Sequence, residues 1–213
     1  MVQIQSPRPS RRPRAFWRNF ILVPLIILAY ICGSIPFGVI VGKAFGFDPR
    51  TVGSRNIGMT NVARAGGKTP AALTFAGDLL KGLVPVLIAR PFVPAASQLM
   101  LVGLAAFVGA IASLFLRLHG GRGVATAMGV WLGLAPLPIV VVLAVFVAIL
   151  ALSRIMSLAS LGAAMSLPAA VAVTGSPHPY VLLAIVMSAL VVWRHRENIQ
   201  RLLSGREPRI GAP

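Results

Sequence analysis

The sequence predicts an all-α, polytopic membrane protein of about seven transmembrane helices, with its N-terminus outside and its C-terminus inside. Three observations carry that expectation. Hydrophobic residues make up 57% of the 213 residues and charged ones only 11%, against roughly 25% charged in a soluble domain. Mean hydropathy is +0.85. Several uncharged stretches are long enough to cross a hydrocarbon core of ~30 Å, which takes about 20 helical residues.

The segments follow in order. Between Arg18 and Lys43 lie 24 uncharged residues, the first span. Residues 70–89 are apolar apart from Asp78 and Lys81, and the 26 residues between Arg90 and Arg117 form a third segment. Residues 123–153 lack charge but contain Pro136 and Pro138, which favour a helix start over a helix interior, so two segments are expected there, the first one short. Residues 155–193 are about 58 Å long if helical, too long for one crossing. The run Thr174-Gly175-Ser176-Pro177-His178-Pro179 divides them. Six crossings with one short segment re-entrant is the competing count.

Charge sets the orientation. With the C-terminus inside, Lys43, Arg50, Arg55, Arg64, Lys68, Arg117, Arg122, Arg154 and the cations after residue 193 share the cytoplasmic side, leaving Arg90 between spans on the other. Arg8, Arg11, Arg12, Arg14 and Arg18 argue the other way but are outnumbered. Residues 1–18 are expected to be a disordered Arg/Pro-rich tail, 19–204 the membrane domain, and 205–213 a C-terminal tail. The apolar run after the first tail is too long for a signal-peptide core, so it reads as an anchor.

Composition excludes several classes. A lone Cys32 allows neither a disulfide framework nor a cysteine zinc site. The four carboxylates and three histidines show no metal-ligand spacing. The formal charge of +16 lies in loops and tails without interleaved aromatics, so nucleic acid is not the expected partner. Anionic headgroups or anionic substrates are.

Four polar clusters stand out in this apolar chain. Gly53-Ser54-Arg55-Asn56-Ile57-Gly58-Met59-Thr60-Asn61-Val62-Ala63-Arg64 combines small residues, neutral hydrogen-bonding side chains and an arginine able to grip phosphate with two bonds. A Gly/Asn-rich turn is the plainer reading. Asp78 and Lys81 sit at i, i+3 inside a span, where ionisable groups pair or face a polar cavity. Arg117-Leu118-His119-Gly120-Gly121-Arg122-Gly123 is a Gly-rich loop opening a helix, a place that attracts anions. His195 and Asn198 share one helix face just past the last span, with Ser157 and Ser160 near the start of another. The first, third and fourth clusters all open on the predicted cytoplasmic side. That convergence predicts a site for phosphorylated molecules there, and leaves enzyme and transporter both open.

At these residues the chain resembles the bacterial acyl-phosphate:glycerol-3-phosphate acyltransferases, the PlsY family. The family motif Gly-Ser-Gly-Asn-x-Gly-Ala-Thr-Asn-x-x-Arg is met by Ser54, Asn56, Gly58, Thr60, Asn61 and Arg64. Asp-x-x-Lys-Gly recurs at Asp78, Lys81 and Gly82, and the Gly-Gly-Lys-Gly-Val-Ala-Thr loop from Gly120, with Arg122 for Lys. His-x-x-Asn-Ile-x-Arg-Leu recurs from His195 to Leu202. The departures are Arg55 for Gly, Met59 for Ala, Arg122 for Lys, Ala110 for a His and Ser113 for a Pro.

The resemblance implies a seven-helix enzyme of the bacterial inner membrane with its site facing the cytoplasm. It would transfer an acyl group from acyl phosphate to the 1-hydroxyl of sn-glycerol 3-phosphate, giving lysophosphatidic acid. Ser54, Arg64, His195 and Asn198 are the implied catalytic residues. Asn56, Thr60, Asn61, Asp78, Lys81, Gly120, Gly121, Arg122, Ser157 and Ser160 would bind substrate, the two glycine N–H groups cradling a phosphate. No metal or cofactor is expected. The base is His195 or a substrate phosphate oxygen, because no Ser-His-Asp order offers an acyl-enzyme nucleophile. An anion or phosphoester transporter, or a catalytically weak homologue acting as a membrane partner, are the alternatives.

Overall fold

The computed structural model describes residues 12–211, with side chains from residue 20, and among these the regular structure is helical throughout. The helices are α1 (Arg12–Ser34), α2 (Phe37–Ala44), α3 (Met59–Gly66), α4 (Lys68–Ala89), α5 (Ala96–Ile111), α6 (Val124–Leu134), α7 (Pro136–Ser153), α8 (Met156–Val173), α9 (His178–Arg194) and α10 (Arg196–Leu203). Most of the breaks are where the chain chemistry puts them. Pro36 ends α1, since the residue before a proline avoids helical backbone. Pro136 opens α7, and Gly67 and Gly175 take positive φ after α3 and α8. Helix α1 starts at Arg12, inside the 1–18 segment expected to be disordered; residues 1–11 lie outside the described residues.

Five stretches are long and apolar enough to cross a membrane: 20–44, Lys68–Ala89, Ala96–Leu116, Pro136–Ser153 and Met156–Val173. Helices α9 and α10, bent by 61°, form a sixth if taken as one span. Helix α6 has 11 residues, about 16 Å, and cannot cross a bilayer of ordinary thickness by itself. Helix α7 is apolar on every side and buries only Pro138 and Ile139, which fits a perimeter helix facing lipid.

Helices α1, α4, α5 and α6 form the centre, with α7, α8 and α9 packed beside them. Phe107, Trp131, Leu183, Met187 and Val86 are buried there, and Trp131 meets Tyr180 edge to face at 6.2 Å. Small residues let the backbones touch. A Cβ on Gly129 would lie 2.0 Å from the Leu79 carbonyl oxygen, and one on Gly82 would lie 2.2 Å from that of Thr126. Gly133 abuts Val86, so α4 and α6 run parallel, the arrangement two spans adopt when α5 returns between them. Such close approach through small residues is how helices associate without a hydrophobic gradient.

Two more helix ends are closed by side chains. The Arg90 guanidinium, at the end of α4, donates to the carbonyls of Gly133 and Leu134, satisfying acceptors the end of α6 leaves open. Ser113 donates to the Ser34 carbonyl at the end of α1.

Replacing Gly129 by Val is expected to cost about 1–3 kcal/mol through overpacking, lowering the unfolding midpoint in detergent by about 3–10 °C. Val147→Leu, on the lipid-facing side of α7, should leave it unchanged. Equal midpoints for both variants would refute the close α4–α6 contact.

Candidate active site

The first polar cluster is a loop wound around one side chain. Asn61 is 1% exposed; its Nδ2 donates to the carbonyls of Pro49 (2.8 Å) and Val52 (3.1 Å), and its Oδ1 accepts from the Ser54 N–H (2.8 Å). Both amide hydrogens are used, so Asn61 organises the loop and has no donor left for a substrate. The tight winding needs Gly53 at φ 56°, where a Cβ would fall 2.4 Å from Asn61 Oδ1. Ser54 and Arg55 on the loop and Arg64 in the second turn of α3 are exposed, while Asn56 and Thr60 are half-buried.

The Gly-rich loop corrects one expectation. The N–H of Gly120 donates to the Ile111 carbonyl (3.2 Å) and that of Gly121 to the Ala110 carbonyl (3.0 Å). These are last-turn carbonyls of α5, orphaned by the helix geometry, and in an apolar slab they must be satisfied from within. The two N–H groups therefore cap α5 and do not cradle a phosphate. Glycine is required at 120 because a Cβ there would sit 2.3 Å from the Ala110 oxygen. Arg194 in turn donates to the carbonyls of Gly120 (2.5 Å) and Gly121 (3.1 Å), tying the end of α9 to the loop. His119 is exposed, its ring nitrogen 2.7 Å from the Arg117 carbonyl. Ala110, where the resemblance expects a histidine, is buried in α5.

Asp78 and Lys81 pair at 2.7 Å, and Lys81 also donates to the Ile35 carbonyl at 3.0 Å. They neutralise each other within the bundle and tie α4 to the α1–α2 break. Ser160 donates to Met156 in its own helix.

The fourth cluster holds a residue the sequence reading passed over. After α10 the chain folds back, and the Ile210 N–H donates to the Arg154 carbonyl at 2.7 Å. This brings the Glu207 carboxylate, 8% exposed, under three donors: Ser157 Oγ at 2.7 Å, Asn198 Nδ2 at 2.5 Å and Arg201 Nε at 2.7 Å. Burial pushes the Glu207 carboxyl up, but those hydrogen bonds outweigh it and hold its pKa below the ordinary value. Its contribution to stability is then present at neutral pH and is lost only as pH falls through that lowered value. The available signal was scarcity, since Glu207 is one of four carboxylates in a chain of net +16.

His195 is 1% exposed and its Nδ1 lies 2.8 Å from the Val191 carbonyl. A carbonyl only accepts, so the proton sits on Nδ1 and Nε2 is the nitrogen left for chemistry. Burial pushes the Arg122 guanidinium down from its ordinary value; Glu207 and Glu197 oppose the shift, while Arg201 and Arg64 add to it. The charges of Arg122 and Glu207 likewise act on His195. Arg64, Arg122 and His195, together with Ser157 and Asn198 bound to Glu207, thus bring four separate stretches of chain around that carboxylate. A cavity of about 580 Å³ adjoins the first and third clusters, walled by Arg55, Asn56, Arg117, Gly120 and Phe115 among others. Among the described residues no group of three or more His, Cys, Asp or Glu side chains could hold a metal ion.

Residues 23–205 match the family model described as glycerol-3-phosphate acyltransferase. The glycerol-3-phosphate acyltransferase of Geotalea daltonii is 48% identical over 185 residues, covering 87% of this chain and 95% of its own length. That of Rubrobacter xylanophilus is 47% identical over 189 residues, covering 89% and 95%. The crystal structure of PlsY (YgiH), an integral membrane glycerol 3-phosphate acyltransferase, in its glycerol 3-phosphate form is similar at a TM-score of 0.86 and 43% identity, covering 90% of this chain and 96% of that one. Its lysophosphatidic acid form gives a TM-score of 0.84 and 42% identity over the same coverage. The chain therefore belongs to the glycerol-3-phosphate acyltransferase family, as the four motifs implied.

Proposed function

We propose that the protein transfers a fatty acyl group from acyl phosphate to the 1-hydroxyl of sn-glycerol 3-phosphate at the cytoplasmic face of the bacterial inner membrane. Lysophosphatidic acid and inorganic phosphate are the products. The observation that carries this is that Arg64, Arg122 and His195 lie near enough for Arg64 to act on Arg122 and Arg122 on His195, around the Glu207 carboxylate that Asn198 binds, in a chain whose relatives are glycerol-3-phosphate acyltransferases. A transporter reading finds little support, because the ionisable pair inside a span, Asp78 and Lys81, is engaged with itself and with Ile35 and so marks no path across the bilayer.

Seven segments that alternate in direction, with α6 reaching only part of the way through a bilayer of ordinary thickness, fit the parallel α4 and α6. An even number of crossings after α1 then places α10 and the Gly-rich loop on one side, and the density of Lys and Arg there makes it the inside. Both substrates are phosphate anions, so a cationic surface at that face concentrates them.

In the reaction the glycerol hydroxyl oxygen attacks the acyl carbonyl carbon. The bond between that carbon and the phosphate oxygen breaks, and phosphate leaves. The hydroxyl proton goes to His195 Nε2 or to a phosphate oxygen of the substrate. Phosphate is already a good leaving group, so holding the two substrates in line and stabilising the developing charge with Arg64 and Arg122 is the main task. Direct transfer needs no covalent acyl-enzyme.

Purified protein incubated with palmitoyl phosphate and labelled glycerol 3-phosphate is expected to form labelled lysophosphatidic acid; its absence with folded protein would sink the reading. Arg64→Ala and Arg122→Ala should each lower turnover by about 10²–10³-fold, the usual loss for one charge-stabilising donor. Arg122→Lys, which keeps the charge in the form the family motif carries, should stay within a few-fold. Near-normal rates for Arg64→Ala would remove that residue from the site.

A further inference from the structure

The C-terminal segment contains a charged group that the reaction does not require and the fold could have left in water. Instead, Glu207 is brought back against α8 and α10 by the Ile210–Arg154 backbone bond and sits under Ser157, Asn198 and Arg201. One consequence concerns Asn198. With Nδ2 committed to Glu207, its Oδ1 is fixed as the other end of the amide, and that oxygen is buried with no hydrogen-bond partner. A buried acceptor without a donor is costly, so the arrangement is unfavourable until a donor arrives. Of the two substrates, only the glycerol moiety brings hydroxyl donors. A phosphate dianion, being an acceptor, would instead be repelled by Oδ1.

We propose that Glu207 is a positioning residue: it holds the Asn198 amide so that Oδ1 accepts a hydroxyl of glycerol 3-phosphate, while Arg64 and Arg122 take the phosphate. The inference rests on the acyltransferase reading. It also gives Asn198 a specific role, as the group that orients the glycerol. Ser157 and Arg201 anchor the carboxylate from the other sides, so Ser157 acts through Glu207. The carboxylate suits this work because its two oxygens accept three donors at once. A neutral amide at the same place has only one oxygen and turns its own donors toward Arg201 or Asn198.

The test compares wild type with Glu207→Gln, Glu207→Asp and Glu207→Ala in the palmitoyl phosphate assay, with unfolding midpoints measured in detergent alongside. For Glu207→Gln the expected result is a kcat lower by at least about 10-fold. KM for glycerol 3-phosphate should also rise, by about 3–10-fold, because the hydroxyl contact is lost while the phosphate contacts stay. Glu207→Asp should recover part of the loss. A binding measurement needs no turnover: glycerol 3-phosphate should raise the wild-type midpoint more than inorganic phosphate does, and in Glu207→Gln the two ligands should become equivalent.

Unchanged kcat in a folded Gln variant overturns the proposal. So does a fall in KM with kcat retained, which would make the carboxylate a removable occupant of the phosphate position. Should Glu207→Ala fail to fold, the Gln and Asp variants decide. If wild type makes no product, the acyltransferase reading fails, and the midpoint comparison still judges the role of Glu207.

Discussion

A helix that ends inside or at the edge of a bilayer leaves carbonyl groups that water cannot reach freely, and each must find a donor within the protein. Much of the polar chemistry of this chain answers that demand. Arg90 closes the end of α6, Ser113 the end of α1, and Gly120 and Gly121 the end of α5, while Arg194 closes the carbonyls of the glycine loop itself. Once these donors are assigned, the loops have little freedom. Gly120 must lie against Ala110, and Arg122 follows two residues later at a fixed place beside the Glu207 and Arg64 charges. The position of the candidate site is thus a result of capping.

The same demand sorts the residues that carry the family motifs. Asn61 is consumed by the Pro49 and Val52 carbonyls and the Ser54 N–H, Ser160 by its own helix, and Lys81 by Asp78 and the Ile35 carbonyl. They hold the site's frame. The exposed Ser54 and Arg64, the partly buried Arg122, His195 Nε2 and Asn198 Oδ1 are the groups those frame contacts leave uncommitted, and the proposed reaction draws on them. Ser157 is anchored on Glu207. A motif read along the chain cannot separate these two groups, because both need the same polar, small residue types at the same spacing.

Hydropathy and punctuation made the apolar segments legible, and Pro136 and Gly175 break the chain where expected because proline and glycine act locally. The pairing of Asp78 with Lys81 was legible too, since i, i+3 geometry is a property of one helix. So was the short α6, since Pro136 and Pro138 interrupt the uncharged run after residue 123. Two features were not. The glycine N–H groups looked free because nothing in the sequence shows that α5 ends beneath them. Glu207 lay in a segment read as a tail, and only the return of the chain onto Arg154 brings it to Ser157, 50 residues earlier. Each of these is a contact between distant parts of the chain.

Arg55 shows how far the positive charge is directed. Its φ of 56° lies in the left-handed region, which costs a residue with a Cβ roughly 1–2 kcal/mol, and the family motif places glycine there. The loop keeps the glycine-type backbone because Asn61 and the Arg55 N–H to Val52 carbonyl bond (3.0 Å) fix it from both sides. The strain is therefore set by the frame, and the side chain is free to vary. What the arginine adds is a guanidinium on the wall of the cavity beside the Gly-rich loop, where Arg117, also at positive φ, lines the same space. Single exposed charges bind weakly, but several of one sign along a cleft raise the local concentration of anions. The acids offer little competition, since Asp48 is held by Arg50, Asp78 by Lys81 and Glu207 by Arg201. Of the four carboxylates, only Glu197 remains outside an ion pair among the described residues. The cations along this cleft therefore face little competition from the chain's own acids for an anion.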